Sequence, residues 1–195
     1  MTTTFDIIFK RTCEFEGVYS DEPTDPGGET YSGISRRSWP NWKGWDIVDK
    51  YKKLYGTGSK FKAAIVKDTV LQSAIKEFYK EEFWDKCKGD KIGGKIGQAV
   101  FDFAVNAGTS VAQSILQKSV NVFLKYADLK AISEDGIIGL ISLNAIASLN
   151  PEQLLDEYLW QRVHWYGTRS ASLRETYMSG WVERTADLRD FLVWG

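Results

Sequence analysis

Two carboxylates and several hydroxyl groups lie close together near the beginning of the chain. Glu16 is followed by a glycine, Asp25 lies in a segment rich in glycine and proline, and Thr30 comes shortly after. Cleavage of a glycosidic bond requires one carboxylic acid that protonates the leaving oxygen and a second polar group that assists water or the developing cation. The spacing of these residues makes glycosidic hydrolysis the first chemistry to consider.

An amphipathic helix is predicted to position Glu16. The inward face recurs every three to four residues and consists of Phe5, Ile8, Phe9, Thr12, Cys13 and Glu16. One of three threonines, at positions 2 to 4, is predicted to begin the helix, and Gly17 is typical of its end. Burial and the negative end of the helix dipole are both expected to raise the pKa of the Glu16 carboxyl, which favours a protonated acid near neutral pH.

Each of these residues also has an ordinary structural interpretation. A glutamate in the last turn of a helix is most often a solvated surface residue. Asp25 could simply brace the turn that it forms with Pro26 and the two glycines after it. Glu14 lies elsewhere on the helical wheel, as expected for a solvated side chain. Only the order and spacing of the pieces together favour the chemical interpretation.

The stretch from Glu16 to Ser35 resembles the N-terminal signature of the family-108 glycoside hydrolases. That signature reads roughly E-G-G-Y, a short spacer, D-P-G-G-x-T and G-I-T, and the chain has E-G-V-Y, D-P-G-G-E-T and G-I-S. The resemblance implies a lysozyme-type N-acetylmuramidase in which Glu16 is catalytic. Val18 and Ser35 depart from the signature, and a valine at position 18 disfavours the positive φ that a glycine can adopt.

A looser resemblance to phage-type lysozymes concerns the second acid. Those enzymes place Glu, eight residues, Asp, five residues and Thr. Eight residues also separate Glu16 from Asp25, but only four separate Asp25 from Thr30. The resemblance implies Asp25 as the second acidic group and Thr30 as the hydroxyl, with Tyr31 or Ser32 as alternatives for the threonine's place.

Further polar and aromatic residues are candidates for contacting the substrate, namely Tyr19, Ser32, Trp42, Asp102 and Asn106. Trp42 belongs to a group of tryptophans spaced by three residues, which could present indole faces to sugar rings or equally complete the hydrophobic core. Asp102 and Asn106 lie four residues apart on one helical face. They could line a groove or satisfy buried backbone groups.

A long helix is predicted from Phe61 to Phe83. Its apolar residues recur at helical spacing, and Glu82 is a reserve acid near that apolar face. Lys86, four residues later, could instead form an ordinary ion pair with Glu82.

The second half of the chain resembles the peptidoglycan-binding domain that follows the catalytic segment in these hydrolases. The resemblance rests on residues 101–108 and on the segment D-G-I-I-G at positions 135–139, where the usual pattern continues with P-x-T. The chain has Leu140 and Ser142 at the proline and threonine positions. Gly108 is predicted to end one helix, and Asn150-Pro151 to begin another.

The predicted fold is all-α and lysozyme-like, with two helical lobes that form one compact body. Residues 1–90 are expected to be the catalytic segment and residues 91–195 the peptidoglycan-binding segment. Three glycines, at positions 89, 93 and 94, interrupt the helical pattern at this boundary. No long flexible linker separates the two halves.

Composition argues against several other functions. The formal net charge of −1 provides no overall basic field that would attract nucleic acid or an anionic membrane. Two cysteines and one histidine are too few for a recognisable zinc site or a histidine-dependent nucleophile, so no metal or cofactor is expected. No signal peptide or membrane-spanning stretch is recognisable. The protein is therefore expected to be made in the cytoplasm and to reach the wall by another route, such as a phage holin.

These observations predict a peptidoglycan hydrolase that cleaves the β-1,4 bond between N-acetylmuramic acid and N-acetylglucosamine. Glu16 would be the general acid, with Asp25 and Thr30 assisting, and the partner would be the glycan strand. The alternative is a non-hydrolytic peptidoglycan-binding or secretion-accessory protein that keeps the fold, since such proteins are sometimes labelled secretion activators. The valine at position 18 favours the alternative, whereas the presence of Glu16 favours the hydrolase.

Overall fold

The computed structural model describes residues 2–14, 18–21 and 28–194. Within these ranges the chain is predominantly helical, with ten α-helices and one small antiparallel sheet, which confirms the predicted all-α class. None of the described helices combines the length and the apolar character needed to cross a bilayer. The chain divides into two units between Glu82 and Phe83. The predicted assignment of residues 1–90 to catalysis and 91–195 to peptidoglycan binding stays a prediction.

The described helices of the first unit are α1 (Thr4–Glu14), α2 (Trp45–Tyr55), α3 (Ser59–Ile65) and α4 (Thr69–Tyr79). At the start of α1, the Thr3 hydroxyl accepts a hydrogen bond from the Asp6 amide at 3.2 Å, and the Asp6 carboxylate accepts one from the Thr3 amide at 2.8 Å. This reciprocal pair satisfies two amides that have no partner within the helix. Of the predicted inward face, Phe5, Ile8 and Thr12 are buried, Phe9 and Cys13 are partly buried, and Glu16 lies outside the described residues.

A three-stranded antiparallel sheet follows α1 in the first unit. Its strands are β1 (Tyr19–Ser20), β2 (Thr30–Tyr31) and β3 (Ile34–Ser35), with Tyr31 opposite both Tyr19 and Ile34. Strands β2 and β3 are joined by Ser32 and Gly33, whose φ angles of 45° and 75° are typical of a tight hairpin turn. The all-α prediction did not include these three short strands.

The single helix predicted from Phe61 to Phe83 is wrong. Helix α3 ends at Ile65 and α4 begins at Thr69. Asp68 begins the second helix, because its carboxylate accepts a hydrogen bond from the Leu71 amide at 2.9 Å. Helix α4 then passes into a π-helical turn, Lys80–Asp85.

The second unit is built from helices that pack around α6. They are α5 (Gly89–Ile92), α6 (Gly94–Ala107), α7 (Thr109–Tyr126), α8 (Leu140–Ala147), α9 (Pro151–Gly167) and α10 (Ala171–Trp194). Two predicted helix ends are confirmed. Gly108 follows α6 with a φ of 92°, and the Asn150 side chain accepts hydrogen bonds from the Glu152 and Gln153 amides at the start of α9.

The turn predicted at Asp135-Gly136 is also present. Gln117 of α7 is buried and donates to the Asp135 carboxylate at 2.9 Å. Its amide oxygen accepts a hydrogen bond from the Gly136 amide at 2.8 Å. A side chain at Gly136 would lie 2.7 Å from the carbonyl oxygen of Ser110, so the segment passes too close to α7 for any residue larger than glycine.

Candidate functional site

The two predicted catalytic carboxylates, Glu16 and Asp25, lie outside the described residues. Helix α1 ends at Glu14, two residues before Glu16 in the sequence. The sheet begins at Tyr19. The contacts of the described residues on either side of Glu16 and Asp25 therefore define the framework of the candidate site.

Tyr79 connects three elements of this framework. It is 2% exposed, and its hydroxyl donates to the carbonyl oxygen of Ser32 at 2.8 Å. Its ring contacts that of Phe9 in α1, with 5.7 Å between the centroids. The Tyr79 side chain thus contacts both α1, the helix predicted to position Glu16, and the β2–β3 turn.

The Ser32 amide holds the chain just after Glu16 against the sheet. It donates to the carbonyl oxygen of Val18 at 3.0 Å. Val18 does not adopt a positive φ, so the backbone at this position does not require the glycine that the family signature carries there. The substitution is therefore compatible with the conformation of this segment.

Glu29 lies at the centre of a cluster of polar contacts in the first unit. Its carboxylate is 2.5 Å from the Lys52 ammonium and 2.9 Å from the Arg36 guanidinium, and it accepts a hydrogen bond from the Tyr19 hydroxyl at 3.1 Å. Lys52 also lies 4.0 Å from Asp21. One lysine of α2 thus contacts an acidic residue on each side of positions 22–27. With two cations and a tyrosine hydroxyl beside it, Glu29 has a structural role in the first unit.

The surroundings of Tyr19 and Lys52 keep the tyrosine neutral and the lysine charged. Burial, together with the charge of Glu29, raises the pKa of Tyr19 to about 12, so its hydroxyl remains a neutral donor. Partial burial opposes the charge of Lys52, but hydrogen bonds to Glu29 and Tyr19 raise its pKa overall. The lysine therefore stays charged near neutral pH.

The two predicted hydroxyl residues lie on neighbouring positions of the hairpin. Thr30 is partly buried in β2, and its hydroxyl donates to the carbonyl oxygen of Gly28 at 3.1 Å. Ser32 is in the turn. Its carbonyl oxygen accepts a hydrogen bond from the Tyr79 hydroxyl, and its amide donates to the carbonyl oxygen of Val18. The structure thus brings Thr30 and Ser32 together on one rigid support.

Trp42 belongs to the hydrophobic core, which is the second of its two interpretations. The side chain is 8% exposed, and its indole nitrogen donates to the carbonyl oxygen of Ala74 at 3.5 Å. Its ring also packs edge-on against that of Trp45, with 5.2 Å between centroids. Trp39, three residues earlier, is only partly buried.

A cleft of about 440 Å³ lies between the tryptophan segment and the end of α4. Its wall combines aromatic and acidic side chains, and the lining residues are Ser38, Trp39, Pro40, Asn41, Trp42, Lys43, Ala74, Glu77, Phe78, Glu81 and Glu82. Glu82, the reserve acid, is therefore at a cleft. Glu81 was missed by the sequence analysis, because the π-helical turn that brings it to the same wall has no recognisable sequence pattern.

The structure places Asp102, one of the candidate substrate contacts, inside the second unit. Asp102 is fully buried, and its two oxygens accept hydrogen bonds from Arg162 at 2.8 Å and from Arg184 at 3.1 Å. Burial alone would raise the pKa of this carboxyl, but the two guanidinium groups lower it overall. The charged Asp102 carboxylate thus links α6, α9 and α10 through buried ion pairs.

Asn106, its predicted companion, lies at the exposed end of the same face of α6. Its amide oxygen accepts a hydrogen bond from the Tyr166 hydroxyl at 2.8 Å. Tyr166 in turn accepts one from Arg162 at 2.9 Å. Asn106 therefore extends the buried Asp102 network toward the surface of the second unit.

The chain is similar in sequence and in structure to known proteins. The profile of the family described as Glycosyl hydrolase 108 matches residues 9–108, a range that includes Glu16, Asp25 and the sheet. Twelve chains of solved structures match significantly. One is SagA of Brucella abortus, with 25% identity, a TM-score of 0.71, and coverage of 97% of this chain and 94% of that one. No curated protein matches significantly.

Proposed function

The chain belongs to the glycosyl hydrolase 108 family, and we propose that it is an N-acetylmuramidase acting on peptidoglycan. The bond cleaved would be the β-1,4 bond between N-acetylmuramic acid and N-acetylglucosamine. The observation that carries the proposal is the family match, because the matched range contains both Glu16 and the D-P-G-G-E-T run. The lysozyme-like helical fold is consistent with it.

In this proposal Glu16 protonates the leaving glycosidic oxygen. Its predicted position at the C-terminal end of the first helix would place it near the negative end of the helix dipole, which disfavours a carboxylate. Desolvation on the predicted inward face of that helix would also favour the neutral acid. A carboxyl group that is still protonated near neutral pH is what the first step of glycoside cleavage needs.

Asp25 is the proposed second acidic group, with Thr30 or Ser32 assisting. Support comes from the described residues that flank it in the sequence, since Lys52 contacts both Asp21 and Glu29. Tyr79 fixes the hairpin turn that carries Ser32. Catalytic groups held on a rigid support lose little entropy when the reaction begins, which is a large part of enzymatic rate enhancement.

The test is to digest purified peptidoglycan, reduce the products with borohydride and identify the new ends by mass spectrometry. A muramidase yields reduced N-acetylmuramic acid as the new end. Reduced N-acetylglucosamine would instead indicate cleavage of the other glycosidic bond and would overturn the stated specificity. Sedimentation with peptidoglycan without any new reducing end would favour the non-hydrolytic alternative.

A further inference from the structure

The cleft between residues 38–43 and the end of α4 has no role in the reaction proposed above. All of its lining residues belong to the first unit. Its volume of about 440 Å³ lies in the lower part of the range typical of small-ligand sites. We name it the tryptophan cleft, after Trp39 and Trp42.

A rigid aromatic side chain forms one part of the tryptophan cleft. The ring of Trp39 stands edge-on to that of Phe78, with 5.0 Å between centroids and 86° between the planes. The Trp39 carbonyl oxygen accepts a hydrogen bond from the Trp45 indole at 2.8 Å. Since Trp39 is only partly buried, the cleft retains an exposed indole surface that is held in one position. Such surfaces bind the apolar faces of sugar rings and also attract cations.

The opposite part of the cleft is acidic. Glu77, Glu81 and Glu82 line it, whereas Lys43 is the one cationic side chain among the lining residues and forms an ion pair with Glu77. Within the described ranges no residue pairs with the Glu81 carboxylate. Like charges one helical turn apart destabilise a helix, so this wall would gain from a bound cation.

We propose that the tryptophan cleft binds an amino-sugar ring that carries a free ammonium group, as in an unacetylated glucosamine unit of wall glycan. The apolar face of the ring would stack on Trp39, and the ammonium group would donate charge-assisted hydrogen bonds to Glu81 and its acidic neighbours. The choice of wall glycan rests on the proposed function. The recognition chemistry rests only on the cleft.

Calorimetric titration of Glu16→Gln protein with two tetrasaccharides tests the proposal. One ligand is the tetramer of glucosamine and the other the tetramer of N-acetylglucosamine, at a mildly acidic pH where amines are protonated and carboxylates ionised. We expect the glucosamine tetramer to bind at least about tenfold more tightly, as charge-assisted hydrogen bonds imply. The preference should shrink as salt is added. Equal affinity for the two tetramers would overturn the proposal.

Two further variants, each added to Glu16→Gln, locate the binding. Trp39→Ala and Glu81→Gln should each weaken glucosamine binding at least about fivefold, a loss on the scale of one stacking or ionic contact. Matched controls from the second unit are Trp160→Ala and Glu175→Gln, which alter exposed residues. Glu81 is itself exposed, so its variant should fold even if Trp39→Ala does not.

Unchanged binding in Glu81→Gln would place the ligand elsewhere and overturn the assignment. Because the titrations measure binding to a protein that lacks the proposed catalytic acid, they do not depend on turnover. Loss of the proposed muramidase activity and loss of this site are therefore distinguishable results.

Discussion

The hydroxyl of Tyr79 lies 2.8 Å from the carbonyl oxygen of Ser32, 47 positions earlier in the chain. The bond joins helix α4 to the hairpin turn, where Ser32 and Gly33 both have positive φ. A non-glycine residue with positive φ is strained unless its surroundings hold it. Helix α4 thus supports the strained turn that follows the candidate hydroxyl Thr30.

Replacing Tyr79 with phenylalanine should lower the free energy of unfolding by about 1 kcal/mol. The variant keeps the ring contact with Phe9 but leaves the Ser32 carbonyl oxygen without its donor. Urea titration measures the change. The matched control is Tyr55→Phe, since Tyr55 is 49% exposed and should change stability by less than about 0.5 kcal/mol. Equal values for the two variants would contradict the supporting role.

Glu16→Gln should reduce the release of reducing ends from peptidoglycan by at least about a hundredfold. An amide cannot donate the proton that the leaving oxygen needs, and general acid catalysis typically contributes this much. Glu14→Gln is the matched control, because it removes a carboxylate two positions away on another face of the predicted helix. If the two variants lost activity equally, Glu16 would not be the general acid.

Lys52→Met should destabilise the protein by about 1 to 2 kcal/mol and also reduce activity. The variant removes the cation closest to Glu29, whose side chain is 12% exposed, so the lost pair is better shielded than a surface pair. The neighbouring Lys53 is exposed, which makes Lys53→Met the control for loss of a charge on the same helix. Thermal unfolding and peptidoglycan cleavage are measured on both. If Lys52→Met behaved like Lys53→Met, the contact between Lys52 and Glu29 would be unimportant.

Asp102→Asn should cost about 3 to 5 kcal/mol, because it leaves two buried guanidinium groups without their anion. The control is Asp156→Asn. Asp156 pairs with Arg189 at 3.1 Å, but both side chains are about half exposed, so its loss should cost less than about 1 kcal/mol. Denaturant titration of both variants gives the comparison, and similar costs would show that burial does not strengthen the Asp102 pair.

The same carboxylate predicts a pH dependence of stability. The pKa of Asp102 is lowered in the folded protein, so its contribution is complete above the ordinary pKa of 3.8 and is lost as the pH falls through the folded value. Below pH 3.8 the wild type should therefore lose unfolding free energy more steeply than Asp102→Asn. Parallel slopes in acid denaturation would contradict this assignment.

Tyr31→Phe should leave stability unchanged or raise it by up to about 1 kcal/mol. The Tyr31 side chain is completely buried, and its hydroxyl has no hydrogen-bond partner among the described residues, so removing it relieves an uncompensated desolvation cost. The matched contrast is Tyr19→Phe, which should destabilise because the Tyr19 hydroxyl donates to Glu29. Destabilisation of Tyr31→Phe by a similar amount would contradict the prediction.

Alkaline titration provides a second measurement on Tyr31. Burial and the nearby charge of Asp68 raise its pKa from 10.0 to about 12. A raised pKa means that the contribution is complete below pH 10.0 and is lost as the pH rises toward 12. Tyr31→Phe should therefore lose less stability than the wild type across that interval.

Local sequence signals predicted many of the helices and several of their ends. The inward face of α1 follows from its apolar period, and Gly108 and Asn150 mark helix ends through backbone and capping chemistry that acts within a few residues. The three strands were not predicted, because each has two residues and a two-residue strand shows no alternation. The break at Asp68 was missed because the apolar period continues across it.

The pairing of Asp102 with Arg162 is consistent with the sequence but could not be identified from it. Arg162 follows Tyr158 and Leu159 at helical spacing in the helix that begins after Asn150, and a charged residue on such an apolar stripe requires an opposite charge nearby. Asp102 lies on the inward face of another helix and meets that requirement. The pairing spans 60 positions, so no local pattern identifies it. The residue types of the candidate site were likewise predicted. The residues that contact its framework, Tyr79 and Lys52, lie in helices distant in sequence, so no local pattern identifies them.

The ion pairs of Asp102 also bear on the order in which the second unit can pack during translation. Its two arginine partners come 60 and 82 positions later in the chain, so α6 emerges while both are still to be translated. Packing a carboxylate against apolar neighbours before its cations arrive is strongly unfavourable. We therefore expect α6 to be fully buried only after its arginine partners in α9 and α10 have been synthesised.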